Sequence, residues 1–242
     1  MPSNDTYRTV AQLPRHDVWW ASELAVSRAT TCSTGHDVLD VELPNQGWPR
    51  SSLIELLLQQ SGIGEMQLLK PALACLAKTQ RIALVHPPYI PHTLACKAWG
   101  LDIKRLLWLD AKSSADALWS TEQILKSGGC GAVILWQSNV RNESLRRLNL
   151  AAQGTDTWFW FMRPLSCIAD ASPSPLRIAL RPAVGGVSLH IVKRRGPQRD
   201  TPLFLPLDSM PAGKHVLDTD HAPNAEHPSA VPAARITTPA LV

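Results

Sequence analysis

From Leu53 onward the chain alternates short, nearly unbroken apolar runs with longer stretches of helical periodicity. The runs are LIELLL (53–58), RIALVH (81–86), RLLWLD (105–110), GAVILW (131–136) and TWFWFM (157–162). A strand that is apolar at successive positions is covered on both faces, the environment of a parallel sheet. Between the runs, periodicity and end signals predict helices over 64–79, over 91–99 with Pro91 at a start position, over 114–126 before Gly128-Gly129, and over 142–153 before Gly154. The order βαβαβαβαβ predicts an α/β domain with a mostly parallel central sheet. After Pro164 the pattern becomes LRIALRPA (176–183), a Gly185-Gly186 turn and VSLHIVKRRG (187–196). That predicts a hairpin extending one edge of the sheet, with basic residues outward.

The ends differ from this core. Residues 1–30 read as a mixed segment with one short helix around 18–27, residues 31–208 as the folded domain, and residues 209–242, rich in Pro and Ala, as a disordered tail. With 242 residues, 45% of them hydrophobic, the chain can bury one sizeable core of roughly 150 residues. A net charge of +4 permits nucleic-acid contact without requiring it. The five cysteines, Cys32, Cys75, Cys96, Cys130 and Cys167, are an odd number with no C-x-x-C. They are expected to be buried thiols of a reduced compartment rather than disulfides or zinc ligands. With no apolar run approaching a membrane span and no signal-type N-terminus, a cytoplasmic protein is expected.

The most informative stretch is LIELLLQQSGIGEMQL (53–68): an apolar strand, a turn holding Gly62 and Gly64, then a helical pattern. This is the layout of a phosphate-binding loop. Such a loop needs a Lys after its last Gly to reach the β/γ-phosphates and then a Ser or Thr for Mg²⁺. Glu65 and Met66 stand there instead. A carboxylate repels phosphate oxygens and a thioether is no ligand for a hard cation. The strand GAVILW also runs into Trp136-Gln137 where a metal-holding Asp would be needed. Neither a nucleotide cofactor nor a reaction is expected from this loop.

Other candidates carry weaker signals. Glu55 is one strand carboxylate without a visible partner and reads as structural. His86 and His92 are split by prolines with no further ligand beside them, so loop capping is expected rather than a metal site. Asp110 lies either at a ligand-binding sheet edge or at the N-cap of the next helix. Of nine tryptophans, those in core elements are expected to pack with their N–H groups paired. Trp19 and Trp20 lie outside the core, either folded back onto the sheet or presented to a partner. Arg141, Arg146 and Arg147 read as a solvated helix face. In Lys193-Arg194-Arg195-Gly196, alternation puts Lys193 and Arg195 on one face. With Arg177, Arg181 and Arg199 these residues form either a basic edge for phosphates or a partner, or a charged edge that discourages sheet aggregation.

The stretch TGHDVLDVELPNQGWPRSSLIELLLQQSGIGEMQLLKPALA (34–74) resembles RecA-type ATPase domains and, within them, is most similar to the ImuA family. The shared features are TGxxxLD, a Gly-Trp-Pro turn, LIELLL, GIGE and LLKPALA, and later WFWFMRP and VKRRGP followed by PLFLPLD. The resemblance covers about residues 15 to 208. One departure is NQGW at 45–48, where a more Gly-rich turn is usual. The resemblance implies a RecA-like three-layer sandwich with a degenerate P-loop. It also implies an accessory role in SOS-induced error-prone translesion DNA synthesis, bridging an ImuB-like Y-family protein and an error-prone replicative-type polymerase subunit, with RecA and DNA as further contacts. The same core also resembles SulA, the SOS-induced division inhibitor, which implies FtsZ as the alternative partner.

Overall fold

The computed structural model describes residues 31–207. The expected 18–27 helix, Trp19, Trp20 and the 209–242 tail lie outside the described residues.

Every apolar run forms a strand close to its expected place. The strands are β1 (Thr31–Cys32), β2 (Trp48–Pro49), β3 (Ser52–Leu58), β4 (Ile82–Val85), β5 (Leu106–Leu109), β6 (Ala132–Trp136), β7 (Trp158–Pro164), β8 (Leu176–Ala183), β9 (Gly186–Lys193) and β10 (Leu203–Pro206). The helices are α1 (Asp37–Asp40), α2 (Glu65–Leu76), α3 (Thr93–Ala98), α4 (Ser114–Ser127) and α5 (Asn142–Gln153). The main sheet has the order β10-β9-β8-β3-β7-β6-β4-β5. All contacts from β8 to β5 are parallel, and β9 and β10 add antiparallel strands at one end. The hairpin β8–β9 is as the periodicity predicts. The sequence does not predict the third antiparallel strand, β10, because four residues of LFLP bounded by prolines carry too short a pattern.

Alternation along each strand divides the core in two. One face joins Leu56, Ile134 and Trp160 with Leu68, Leu69 and Leu73 of α2. The other joins Leu53, Val133, Phe159 and Phe161 with Leu125 of α4 and Leu145, Leu148 and Ala152 of α5. Helices therefore cover both faces of a mostly parallel sheet, an arrangement compatible with a three-layer sandwich. Strand β7 supplies much of the bulk. Trp158 and Trp160 stack at 6.0 Å on one face, Phe159 and Phe161 at 6.2 Å on the other, and Trp48 meets Trp160 edge-on at 5.9 Å. Each such ring contributes about 1.5–3 kcal/mol by leaving water.

The tryptophan expectation is corrected in part. Trp158 Nε1 donates to Trp48 O at 3.4 Å, whereas Nε1 of Trp48, Trp136 and Trp160 is buried without a partner. Trp119 and Trp108 are 62% and 44% exposed. The cysteines are all free, but Cys75 is exposed and Cys32 half-buried, so only three are buried thiols.

Helix α4 is bounded by local chemistry. Ser113 Oγ accepts the N–H of Asp116 at 3.1 Å, and Gly128 closes the helix in the left-handed region (φ 62°). Asp110 is exposed and is not that N-cap. His92 does cap α3, its Nδ1 accepting the N–H of Leu94 at 3.3 Å. The NQGW turn is built with Asn45 and Gln46 both at φ 56°. Gly47 passes so close to the backbone of Cys32 that a Cβ would sit 2.2 Å from its carbonyl oxygen.

Candidate functional site

The glycine turn sits where β3 leaves the sheet and α2 begins, at the carboxyl ends of parallel strands, where α/β folds bind ligands. Gly62 and Gly64 have φ of 85° and 118°, a region that only Gly enters freely. A side chain at Gly64 would also meet Leu207 Cδ1 at 2.3 Å, so the segment after β10 packs directly on the turn. Glu65 is the first residue of α2 and is buried. Its Oε1 accepts the N–H of Gly62 at 2.8 Å and its Oε2 the N–H of Gly64 at 3.2 Å. The backbone donors that would hold a phosphate are thus occupied by the chain's own carboxylate, which also meets the positive end of the helix. Met66 is partly buried and packs against the core.

Beside the turn, a cavity of about 400 Å³ is lined by Gln60, His86, Trp136, Gln137, Met162 and Arg163 among others. None of its lining residues is Asp or Glu. Gln137, the residue standing where a metal-holding acid is needed, is buried with both amide atoms unpartnered. Among the described residues no group of three or more His, Cys, Asp or Glu could hold a metal ion.

Glu55 has two partners that the sequence could not show. It is fully buried in β3. Arg163 Nη1 of β7 donates to its Oε1 at 3.2 Å, and Arg177 Nε of β8 donates to its Oε2. Arg177 also donates to the carbonyls of Cys167 and Ile168 at 2.8 and 3.1 Å, and Arg163 to Asp170 Oδ2 at 3.0 Å. Arg177 is therefore buried inside the sheet, not part of a basic edge. It pairs with Glu55 because β3 and β8 are parallel neighbours in a register that sets these two residues side by side.

The sequence motifs at the two ends of the domain hold each other. Asp40 of TGxxxLD accepts from the N–H of Thr34 at 2.7 Å and from Ser33 Oγ at 2.6 Å. Gly35 (φ 80°) lies against Pro71 of α2, where a Cβ would approach to 2.3 Å. From the other end, Arg194 Nη1 lies 3.1 Å from Glu42 Oε2, and Arg199 Nη1 donates to Glu42 Oε1. Arg194 is consequently a clamp residue with an 11% exposed side chain, where the sequence leads one to expect an exposed contact residue. β9 ends at Lys193, so strict alternation does not carry on to Arg195. Arg181 and Arg195 are exposed. Lys193, also exposed, donates from Nζ to Ser172 O at 2.9 Å. Arg195 joins Arg50 and Ser52 around a second cavity of about 220 Å³.

Among titratable groups, Lys126 and then Arg147 donate to Glu122 and hold its carboxyl below the usual range. Arg147 is thus paired, not merely part of a solvated face. Burial pushes the thiols of Cys96, Cys130 and Cys167 up, away from the thiolate form. No described helix is long and apolar enough to cross a membrane.

Comparison with known proteins gives little beyond this geometry. No protein-family profile matches the chain, and no curated protein matches its sequence. Among solved structures it is similar to the crystal structure of SulA from Pseudomonas aeruginosa, with 27% identity and a TM-score of 0.40, over 48% of this chain and 99% of that one.

Proposed function

We propose that this chain is a RecA-like accessory protein with no reaction of its own. In this reading it serves SOS-induced error-prone translesion DNA synthesis by bridging an ImuB-like Y-family protein and an error-prone replicative-type polymerase subunit, with RecA and DNA as further contacts. The observation that carries the non-catalytic part is the Glu65 carboxylate seated on the N–H groups of Gly62 and Gly64. A nucleotide phosphate would have to displace that carboxylate and then lie beside it, two anions in one small cradle. The neighbouring cavity supplies no carboxylate for Mg²⁺. A mostly parallel sheet with helices on both faces is compatible with a RecA-type core whose turn has lost its chemistry. The pathway rests on the sequence resemblance over residues 15 to 208.

The test is recovery of the tagged full-length chain from DNA-damaged cells. Co-purification of an ImuB-like protein and a polymerase subunit supports this function. Recovery of FtsZ in their place overturns it in favour of a division inhibitor. ATP turnover by the purified chain would overturn the non-catalytic part.

A further inference from the structure

The cavity of about 220 Å³ lies at the starting ends of β3 and β8, where Ser52 and Leu176 begin their strands. The seven residues of β3 set it about 20 Å from the glycine turn, at the opposite end of the sheet. Its wall is rich in hydrogen-bond donors. Thr31 and Ser51 donate their hydroxyls to Asn45 O and Thr155 O, both at 2.7 Å, and are engaged. Ser52 and Asn149, also on the wall, keep unused groups although they are only 9% and 8% exposed. Ser52 Oγ has no partner. Asn149 Oδ1 accepts the N–H of Leu53 at 3.1 Å, which fixes the amide and leaves Nδ2 without an acceptor among the described residues. Buried polar groups are normally paired, so unpaired donors gathered on one cavity wall point to a ligand that supplies the acceptors.

Charge selects that ligand. No Asp or Glu lines the cavity, whereas Arg50 and Arg195 both do. Arg50 is held in place, its guanidinium 4.1 Å over the Trp158 ring and its Nη1 donating to Asp156, while its Nε is buried without a partner. Arg195 is exposed and has no acidic partner among the described residues, so its charge is uncompensated. Lys193 brings another cation close by, because its Nζ donates to Ser172 O, next to Pro173 of the lining. Donors with a net positive charge fit an oxyanion. Arg50, Ser52, Asn149 and Arg195 together match the several oxygens of a phosphate better than the two of a carboxylate. The volume lies below the roughly 300–1,000 Å³ of sites that enclose whole small molecules, which suits one phosphate group and not a complete nucleotide.

We propose that this cavity binds a phosphate group, either free phosphate or the terminal phosphate of a nucleic-acid strand. The test is calorimetric titration of the full-length chain with three probes: inorganic phosphate, an oligonucleotide carrying a terminal phosphate, and the same oligonucleotide without it. Saturable binding of phosphate is expected. A preference of about tenfold or more for the phosphorylated oligonucleotide over both other probes assigns the site to a strand end, and equal affinity for it and for phosphate assigns the site to the free ion.

Ser52→Ala and Arg195→Ala each weaken binding about tenfold. Because Ser52 Oγ holds no partner within the protein, Ser52→Ala leaves the melting temperature unchanged, which a structural role for the hydroxyl would not allow. Asn149→Asp keeps the acceptor for Leu53 N–H but sets a carboxylate against the phosphate, so binding is lost while circular dichroism shows a folded chain. The absence of saturable binding by phosphate and by the phosphorylated oligonucleotide overturns the proposal. So does binding that is unchanged in both Ser52→Ala and Arg195→Ala, or an oligonucleotide that binds equally with and without its terminal phosphate and is not displaced by free phosphate.

Discussion

Glu65 accepts the backbone N–H of Gly62 at 2.8 Å across one turn of chain, so the helix that starts there is neutralised by its own first residue. Glu65→Ala removes the acceptor for two backbone donors and is expected to lower unfolding stability by about 2 kcal/mol, with Glu65→Gln costing about half of that. Urea denaturation measures both. ATP hydrolysis is expected to stay at background even in Glu65→Lys/Met66→Thr, because Gln137 supplies no metal-holding acid. Wild-type turnover abolished by altering Gly64 would contradict this reading.

The carboxylate of Glu55 bridges two guanidinium groups deep in the sheet, and Asp170 meets Arg163 from its other side. Glu55→Ala leaves Arg163 and Arg177 buried beside each other without it, at an expected cost of about 3–5 kcal/mol. Replacing all three, Glu55→Leu with Arg163→Met and Arg177→Met, should recover most of that loss. If the triple variant is no more stable than Glu55→Ala, the cost does not come from unpaired charge.

Within the basic cluster the three residues should now separate. Lys193→Ala and Arg195→Ala are exposed changes expected to cost within about 0.5 kcal/mol each. Arg194→Ala should cost about 1–2 kcal/mol by releasing Glu42. If single-stranded DNA is a target, Lys193→Ala/Arg195→Ala lowers the slope of log affinity against log salt by up to about 1.4, at roughly 0.7 per phosphate contact. Fluorescence anisotropy across a salt series reads this, and an unchanged slope assigns the pair to solvent.

Glu122 is held below the ordinary carboxylate range by Lys126 and Arg147. Because its folded pKa is below its unfolded value of about 4.3, protonation favours the unfolded chain. Its contribution is complete above that unfolded value and disappears as pH falls through the lowered folded one. Glu122→Gln should therefore flatten the acid limb of the stability–pH curve and leave its alkaline limb unchanged. An unaltered acid limb would show that the pair contributes nothing.

What the chain's own residues determined is local. Unbroken apolar runs can be satisfied only by strands covered on both faces, and 3.6-residue periodicity with Ser, Pro and Gly at the ends marks helices, so elements and their order were legible. So was the missing Lys after Gly64, since that motif is contiguous. Partners far apart in sequence were not. Glu55 meets Arg177 across 122 positions and Glu42 meets Arg194 across 152, and nothing in the sequence around either residue encodes that distance. Strand order and register decide it, and these depend on which faces bury together. The same holds for Glu65: its charge could be read as hostile to phosphate, but only the folded turn shows its carboxylate accepting the N–H groups of Gly62 and Gly64. Likewise RLLWLD reads as a buried strand, and only its place at the end of the sheet leaves Leu107 and Trp108 open to water.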